Sequence, residues 1–461
     1  MVVNQQHPEA TTATAELAPA SKQTSAFDAH HPPETKLIDA CVHCGFCLQA
    51  CPTYLLWGEE MDSPRGRIQL IKMATEGETP ITPRWVSHFD ACLGCMACMT
   101  ACPSGVDYGK LIEATRAQIE RLHDRSFGER WHRRFIFSVF TRPERLRLLA
   151  RILAAYQKSG LQTLVRSSGL LKLLPARLAA LEALAPRVTE HETVPEVTPA
   201  LGEKRQRVGL LLGCAQREFI SQVNAATARV LATEGCEVVA PAEQPCCGAL
   251  LLHAGEEDAA AELARQTIDV FERASVDTVV INAAGCGSSM KEYGYILRDD
   301  PRYAERARRF SAQCMDICEF LEQLGPRATR HPLPLRVAYQ DACHLQHAQG
   351  VRSQPRSLLG AVPGLSVEEI PEAAICCGSA GIYNLVQPET AAALGDRKGQ
   401  LIASLGADVV ATGNPGCLLQ LTAALARSGK NIPVVHTIQL LDASLRGDQP
   451  ESFLSTQGAK K

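Results

Sequence analysis

Apolar residues recur along this chain in two rhythms, and the change of rhythm divides it. Between Ser63 and Met73 the positions Ile68, Leu70, Ile71 and Met73 follow a helical pattern, and Ser63-Pro64 supplies a helix start with proline at the first helical position. From Arg116 to Arg187 leucines return at helical spacing (Leu146, Leu148, Leu149, Leu153, then Leu161, Leu164, Leu170, Leu171, Leu173, Leu174, Leu178 and Leu181), which predicts short amphipathic helices. After Arg207 the apolar runs shorten. Val208 to Leu212, Val279 to Ile281, Val337 to Tyr339 and Val409 to Ala411 read as strands, as do Val238 and Val239, with helices fitting 223–234 and 258–274. Strand–helix alternation of this kind predicts parallel α/β units. No apolar run reaches the ~18 residues of a membrane span.

The second half also repeats itself. Arg207 to Gln216 aligns with Arg336 to Leu345, Cys246-Cys247-Gly248 with Cys376-Cys377-Gly378, and Asp277 to Cys286 with Asp408 to Cys417, at offsets of 129, 130 and 131 residues. Each copy gathers four thiols just past predicted strands: Cys214, Cys246, Cys247 and Cys286, then Cys343, Cys376, Cys377 and Cys417. Ligands of parallel α/β folds collect at that edge. Four soft donors suit iron–sulfur or zinc, against the plain alternative of cysteine packed as a small apolar residue. Cys236, Cys314 and Cys318 have no counterparts in the other copy and read as structural. His344 and His347 follow Cys343; a ligand or proton-transfer role competes with local packing.

Cysteine placement sharpens the picture. The chain holds 19, of which eight lie between Cys41 and Cys102, none from there to Cys214, and eleven beyond. A large chain without a secretory-type start is not a disulfide scaffold, so metal ligation is the expectation. Cys41, Cys44, Cys47 and Cys51-Pro52, then Cys92, Cys95, Cys98 and Cys102-Pro103, both read C-x2-C-x2-C-x3-C-P. In two-cluster ferredoxins the fourth cysteine of such a run ligates the other cluster. Cys41, Cys44, Cys47 and Cys102 are therefore assigned to one [4Fe–4S] cluster, and Cys92, Cys95, Cys98 and Cys51 to a second. Structural zinc is the alternative, but zinc usually takes separated C-x2-C pairs. The helical spacer favours an α-helical domain over a β-type ferredoxin. Its Arg65, Arg67 and Lys72 either offset cluster charge or form a solvated face.

Charge adds two points. Net charge is −3 over 461 residues, which gives no reason to expect nucleic acid. From Arg116 to Arg187, however, 15 Lys or Arg meet only 5 Asp or Glu. Basic amphipathic helices can lie on an anionic membrane or pack on the protein itself with charges outward. No G-x-G-x-x-G fingerprint marks a flavin or nicotinamide site.

The chain resembles the iron–sulfur subunit family of glycolate oxidase (glycolate dehydrogenase). The resemblance is carried by Cys41 to Tyr54, Asp62 to Lys72, Asn224 to Leu231, Lys291 to Gly294, Leu345 to Gln349 and Cys376 to Gly381. The second half is also similar to the cysteine-rich CCG domains of heterodisulfide reductases, anaerobic glycerol-3-phosphate dehydrogenases and lactate-oxidising complexes. One departure stands out. Those reductases end each module in C-x-x-C, where this chain has Cys286-Gly-Ser-Ser289 and Cys417-Leu-Leu-Gln420. Each module is one thiol short, which counts against disulfide-cleaving chemistry.

The expected fold is α plus α/β: an α-helical two-cluster ferredoxin domain (36–115), a basic helical connector and linker (116–203) and two CCG modules (204–330 and 331–446), between disordered tails (1–35 and 447–461). The resemblance implies an electron-transfer subunit with no catalytic residues of its own. FAD-bearing partner subunits would convert glycolate to glyoxylate, and this chain would pass the electrons singly to a quinone or other acceptor. A cytoplasmic place, with peripheral contact at the inner membrane, goes with that reading. The alternatives are a D-lactate or other 2-hydroxy acid complex, a thiol–disulfide reductase, and a zinc scaffold.

Overall fold

The computed structural model describes residues 24–169, 176–188 and 191–454. The amino-terminal domain is helical. Pro64–Thr75 begins where expected, with the Ser63 hydroxyl accepting from the Gly66 N–H at 3.1 Å. Thr82 and Asp107 cap Pro83–Asp90 and Tyr108–Leu122 in the same way. The three helices bury Ile68, Ile71, Phe89, Leu111, Ile112 and Ile119 around Trp85. Each such side chain contributes about 1.5–3 kcal/mol of transfer free energy.

Three boundaries need correcting. Residues 24–34 are not a loose tail. Phe27 packs edge-on against Trp85, and the Arg121 guanidinium binds Asp28 and holds its carboxyl down to about 2. The domain's last helix runs on to Leu122, past the expected limit of 115. At the other end, Glu451–Leu454 is helical and Phe453 packs on the core, so order continues beyond 446. Residues 1–23 and 455–461 lie outside the described residues.

The connector forms helices Phe127–Phe140, Pro143–Lys158, Leu161–Ser167 and Ala176–Ala183. Ile136, Phe137 and Leu146 bury against the first module, whereas Phe127, Trp131, Phe135, Leu148, Ile152 and Leu164 stay exposed. Leu170, Leu171, Leu173 and Leu174 lie outside the described residues. The expected linker also holds structure: Val197–Thr198 (β1) pairs antiparallel with the first module's edge.

The first module's sheet has the order β1-β3-β2-β4-β5, with β2 Gln206–Leu211, β3 Cys236–Val239, β4 Thr278–Ile281 and β5 Cys314–Asp316 in parallel. The second repeats it as β7-β6-β8-β9, with β6 Arg336–Gln340, β7 Ser366–Glu369, β8 Val409–Thr412 and β9 Val434–His436, all parallel. Continuous apolar runs suit strands covered on both faces. The modules meet reciprocally. Helix Ser221–Thr233 of the first packs on Thr437–Arg446 of the second, and Ile317–Leu324 packs on Ser353–Gly360. One shared core runs through the contact, and Arg229 clamps it on Asp442 at 2.7 Å. Cys236, Cys314 and Cys318 are buried in β3, β5 and the helix after β5.

Candidate functional site

The two ferredoxin runs fold alike. Each cysteine of the first has its partner 51 residues on, and the backbone repeats with it: His43 and Gly94 have φ of 54° and 62°, Gly45 and Met96 of 86° and 62°. Left-handed residues inside a right-handed path turn successive N–H groups inward, a concavity that holds anions. The Gly94 N–H already donates to Cys92 Sγ at 3.4 Å.

The loops frame two hollows. One of about 410 Å³ is lined by Cys41, Cys44, Cys47 and Cys102, with Cys98 at its inner wall. The other, about 310 Å³, is lined by Cys51, Cys92, Cys95 and Cys98. Cys102 thus stands with the first run and Cys51 with the second. A tetrahedral zinc site needs sulfurs about 3.8 Å apart, given Zn–S near 2.3 Å. Among the described residues, the one ligand group with all donor atoms within 4.8 Å is His30, His31 and Glu257, which includes no cysteine. Thiolates spread this way suit the corners of a multi-iron group.

The two hollows differ in exposure. Cys44 is exposed, and Cys41, Cys47 and Cys102 are half-buried, whereas Cys51, Cys92, Cys95 and Cys98 are buried. Burial pushes Cys47 up to about 11 and drives Cys95 and Cys98 well above the ordinary thiol range. Such thiols keep their protons until a metal displaces them, so metal uptake releases protons. Cys92 is the exception. Burial raises it too, but the guanidinium groups of Arg67 and Arg116 overcome that and hold it below its usual value.

Arg67 is therefore no surface residue. It is 1% exposed, donates to the His88 carbonyl at 2.6 Å and to Thr53 Oγ1, and pairs with Asp62 at 3.3 Å. Arg65 is half-buried against Glu60, and Lys72 sits on the solvated face at 40%.

The helical domain docks on the cysteine edge of both modules. Tyr383 Oη donates to the Ala91 carbonyl at 3.1 Å, Thr100 bonds His347 at 2.8 Å, and Glu113 bonds His253 at 2.9 Å. The second loop's Leu93, Cys95 and Ala97 pack directly against Cys376, with Cys343 alongside.

Each module brings its four thiols together at the carboxyl strand edge. Cys214 and Cys246 sulfurs lie 3.5 Å apart, Cys246 and Cys247 interact, and Cys247 reaches Cys286. In the second, Cys343 and Cys376 lie 3.9 Å apart, and Cys377 bonds both Cys376 and Cys417. The sets differ in charge. Hydrogen bonds from Cys376 and Cys417, with buried Lys398 nearby, hold Cys377 well below the ordinary thiol range; Cys247 is pushed well above it. Where a fifth thiol would stand, Ser289 and Gln420 are both buried. His344 lies on a π-helical turn, His344–Ala348, beside Cys343, and burial lowers its imidazole to about 3. His347 is lowered too, first by burial, and bonds the Ala374 carbonyl.

Sequence reasoning missed Tyr108, Arg116, His253, Tyr383 and Lys398. Arg116 donates to the carbonyls of His253, Phe89 and Cys92, bridging the second loop to the first module. Its only sequence signal was membership of a basic stretch.

Comparison with known proteins agrees with this architecture. Residues 37–106 match the model of the 4Fe-4S dicluster domain, 208–291 and 337–422 that of the cysteine-rich domain, and 128–185 that of the glycolate oxidase iron-sulfur subunit linker region. The chain is 28% identical over 240 residues to lactate utilization protein A of Exiguobacterium, covering 52% of this chain and 98% of that one. It is 36% identical over 418 residues to the glycolate oxidase iron-sulfur subunit of Escherichia coli, covering 89% of this chain and 94% of that one. With the probable glycolate oxidase iron-sulfur subunit of Bacillus subtilis it shares 40% identity over 410 residues, covering 87% of this chain and 92% of that one. Dicluster loops, characteristic linker and paired cysteine modules, in one order along one chain, make it a member of the glycolate oxidase iron–sulfur subunit family.

Proposed function

We propose that the chain is the electron-transfer subunit of a glycolate oxidase complex, holding one [4Fe–4S] cluster on Cys41, Cys44, Cys47 and Cys102 and another on Cys92, Cys95, Cys98 and Cys51. The carrying observation is the pair of cysteine-lined hollows, each drawing its fourth thiol from the other run. Bound there, two cubanes would supply one-electron carriers between a two-electron donor and an acceptor. The protein's own share is to wrap the thiolates, aim backbone N–H groups at them and offset their charge with Arg67 and Arg116.

The exposed first loop, with Val42 and Phe46 each 67% exposed, is the face offered to FAD-bearing partner subunits that oxidise glycolate to glyoxylate. The choice among 2-hydroxy acids lies with those partners. The CCG thiols are a second tier. The second module's set, beside the second loop and Lys398, is the candidate for a further cluster or thiol site, with the first module's set as its weaker copy. Exposed Phe127, Trp131, Phe135 and Ile152, among the connector's arginines, suit peripheral contact with an anionic membrane. No helix among the described residues is long and apolar enough to cross one.

The test is iron, acid-labile sulfide and EPR on anaerobically purified protein. The expected result is about eight iron per chain, following two four-iron groups, and interacting cubane signals after reduction. Zinc in place of iron ends the proposal.

A further inference from the structure

Away from every cysteine, the amino-terminal segment meets the first module through a cluster of imidazoles and carboxylates. Gln118, buried on helix Tyr108–Leu122, donates to the His30 carbonyl at 2.8 Å and to Asp28 at 2.9 Å, which fixes the loop that carries His30 and His31. Glu257 comes from the other side of the contact, at the start of the first module's helix Glu257–Ala274. His30, His31 and Glu257 each bring one donor atom within 4.8 Å of the other two. His31 Nδ1 contacts Glu257 Oε1, and the two imidazole rings stack at 4.3 Å. On its far side, His31 Nε2 bonds Asp299 Oδ2 at 3.1 Å. Glu257 Oε2 is buried without a hydrogen-bond partner, 3.5 Å from the Arg121 guanidinium. A carboxylate with one oxygen left in that state is under-satisfied, and a cation on it would relieve the cost.

We propose that His30, His31 and Glu257 bind one zinc ion, and that this ion clamps residues 24–34 to the first module. The donor set selects the metal. Two imidazole nitrogens and one carboxylate oxygen suit zinc, whereas calcium and magnesium take oxygen ligands and copper(I) or iron–sulfur groups take thiolates. Three protein ligands leave the fourth position of a tetrahedron to water. With bonds of about 2.0–2.1 Å, the donors must stand about 3.4 Å apart, and the exposed His30 side chain has room to close that gap. The surroundings are those of a supported site. His31 ligating through Nδ1 keeps its proton on Nε2, where Asp299 accepts it, and this carboxylate–histidine–metal chain fixes both tautomer and ring. A plain ion pair of His31 with Glu257 and Asp299 would account for two of these contacts, but it has no use for the His30 ring. The ion would act beside a second strap, the bond of 2.8 Å from Tyr295 Oη to Glu34. Together they would hold the polar start of the chain across the boundary between the helical domain and the first module.

The test adds zinc to the cluster-loaded full chain under anaerobic conditions and reads affinity by competition with a chelating indicator. X-ray absorption at the zinc edge identifies the ligands, because bonds to nitrogen and oxygen of about 2.0–2.1 Å separate from bonds to sulfur near 2.3 Å. This distinguishes the proposed site from zinc held by the module thiols. The expected result is about one zinc per chain with a nitrogen and oxygen shell. His30→Ala and Glu257→Gln should each weaken that binding at least about 100-fold, and Asp299→Asn about 10-fold. Circular dichroism verifies folding in every variant. Hydrogen exchange reads the clamp directly: zinc should slow exchange across 24–34 at least about 10-fold in the wild type and leave it unchanged in His30→Ala. A sulfur-only shell, or folded variants that bind zinc as tightly as the wild type, overturns the site. Exchange across 24–34 that ignores zinc in the wild type overturns the clamp.

Discussion

Arg67→Met should lower the reduction potential of the inner cluster. The guanidinium is sealed from water and stands among Cys51, Cys92 and Asp62, with the thiolates raising its own pKa further. Each added electron is stabilised by this fixed positive charge. At an effective dielectric of about 20, a unit charge roughly 7 Å away is worth about 2.4 kcal/mol. For a one-electron couple, at about 59 mV per tenfold, that is a fall of about 100 mV. Methionine also strands Asp62, although His88 still bonds it at 2.9 Å. Breaking a buried pair in this way costs about 3–5 kcal/mol of stability. Arg67→Lys is the necessary companion, because it keeps the charge and loses the fork of bonds to Thr53 and His88. EPR-monitored redox titration of anaerobic protein reads both clusters. The methionine variant should shift the inner cluster and the lysine variant should hold it within about 30 mV. Should Arg67→Met keep its full iron while both potentials stay within about 20 mV of wild type, the electrostatic account of Arg67 is wrong.

Exchange of the fourth ligand predicts crossed losses: Cys51→Ala should empty the site of the second run and Cys102→Ala that of the first, each leaving about four iron per chain by analysis and one EPR species. Burial pushes Asp316 to about 7. The folded state then holds a proton that the unfolded state has lost, so stability falls from about pH 4 to 7 by at most about 1.4 kcal/mol per unit. Asp316→Asn should flatten that slope in urea titrations at several pH values. Gly378 has φ of 92°, and a Cβ there would meet the Ala391 carbonyl oxygen at 2.6 Å, against 3.1 Å from Ala260 at Gly248. Thermal melts should show Gly378→Ala losing about 2–4 kcal/mol and Gly248→Ala about half that.

Much of this was legible from spacing. Ser63-Pro64 as a helix start and the five strands read from apolar runs (β2, β3, β4, β6 and β8) fall within a residue or two of their expected places, because capping and apolar runs are local, whereas β5, β7 and β9 were not foreseen. What escaped depends on contacts distant in sequence. Arg67 reads like Arg65 and Lys72 until the chain folds its helix over the inner hollow. Phe27 and Asp28 sit in a polar stretch, and only Trp85, Gln118 and Arg121 give them order. Val197 and Thr198 look like linker until the free edge of β3 recruits them. His253 and His344 lie 91 residues apart and meet only because the helical domain docks across both modules.

The uneven sealing of the two loops bears on how the protein must be handled. Oxygen and peroxide reach a metal–sulfur group through solvent, and Cys44 stands open to it while Cys95 lies beneath the second module and Cys98 is buried in the helical domain's own core. A preparation left in air would thus decay from its outer end inward, shedding the outer cubane's iron while the inner one survived. The half that remained could still colour the solution brown, yet the bridge from the donor would already be broken.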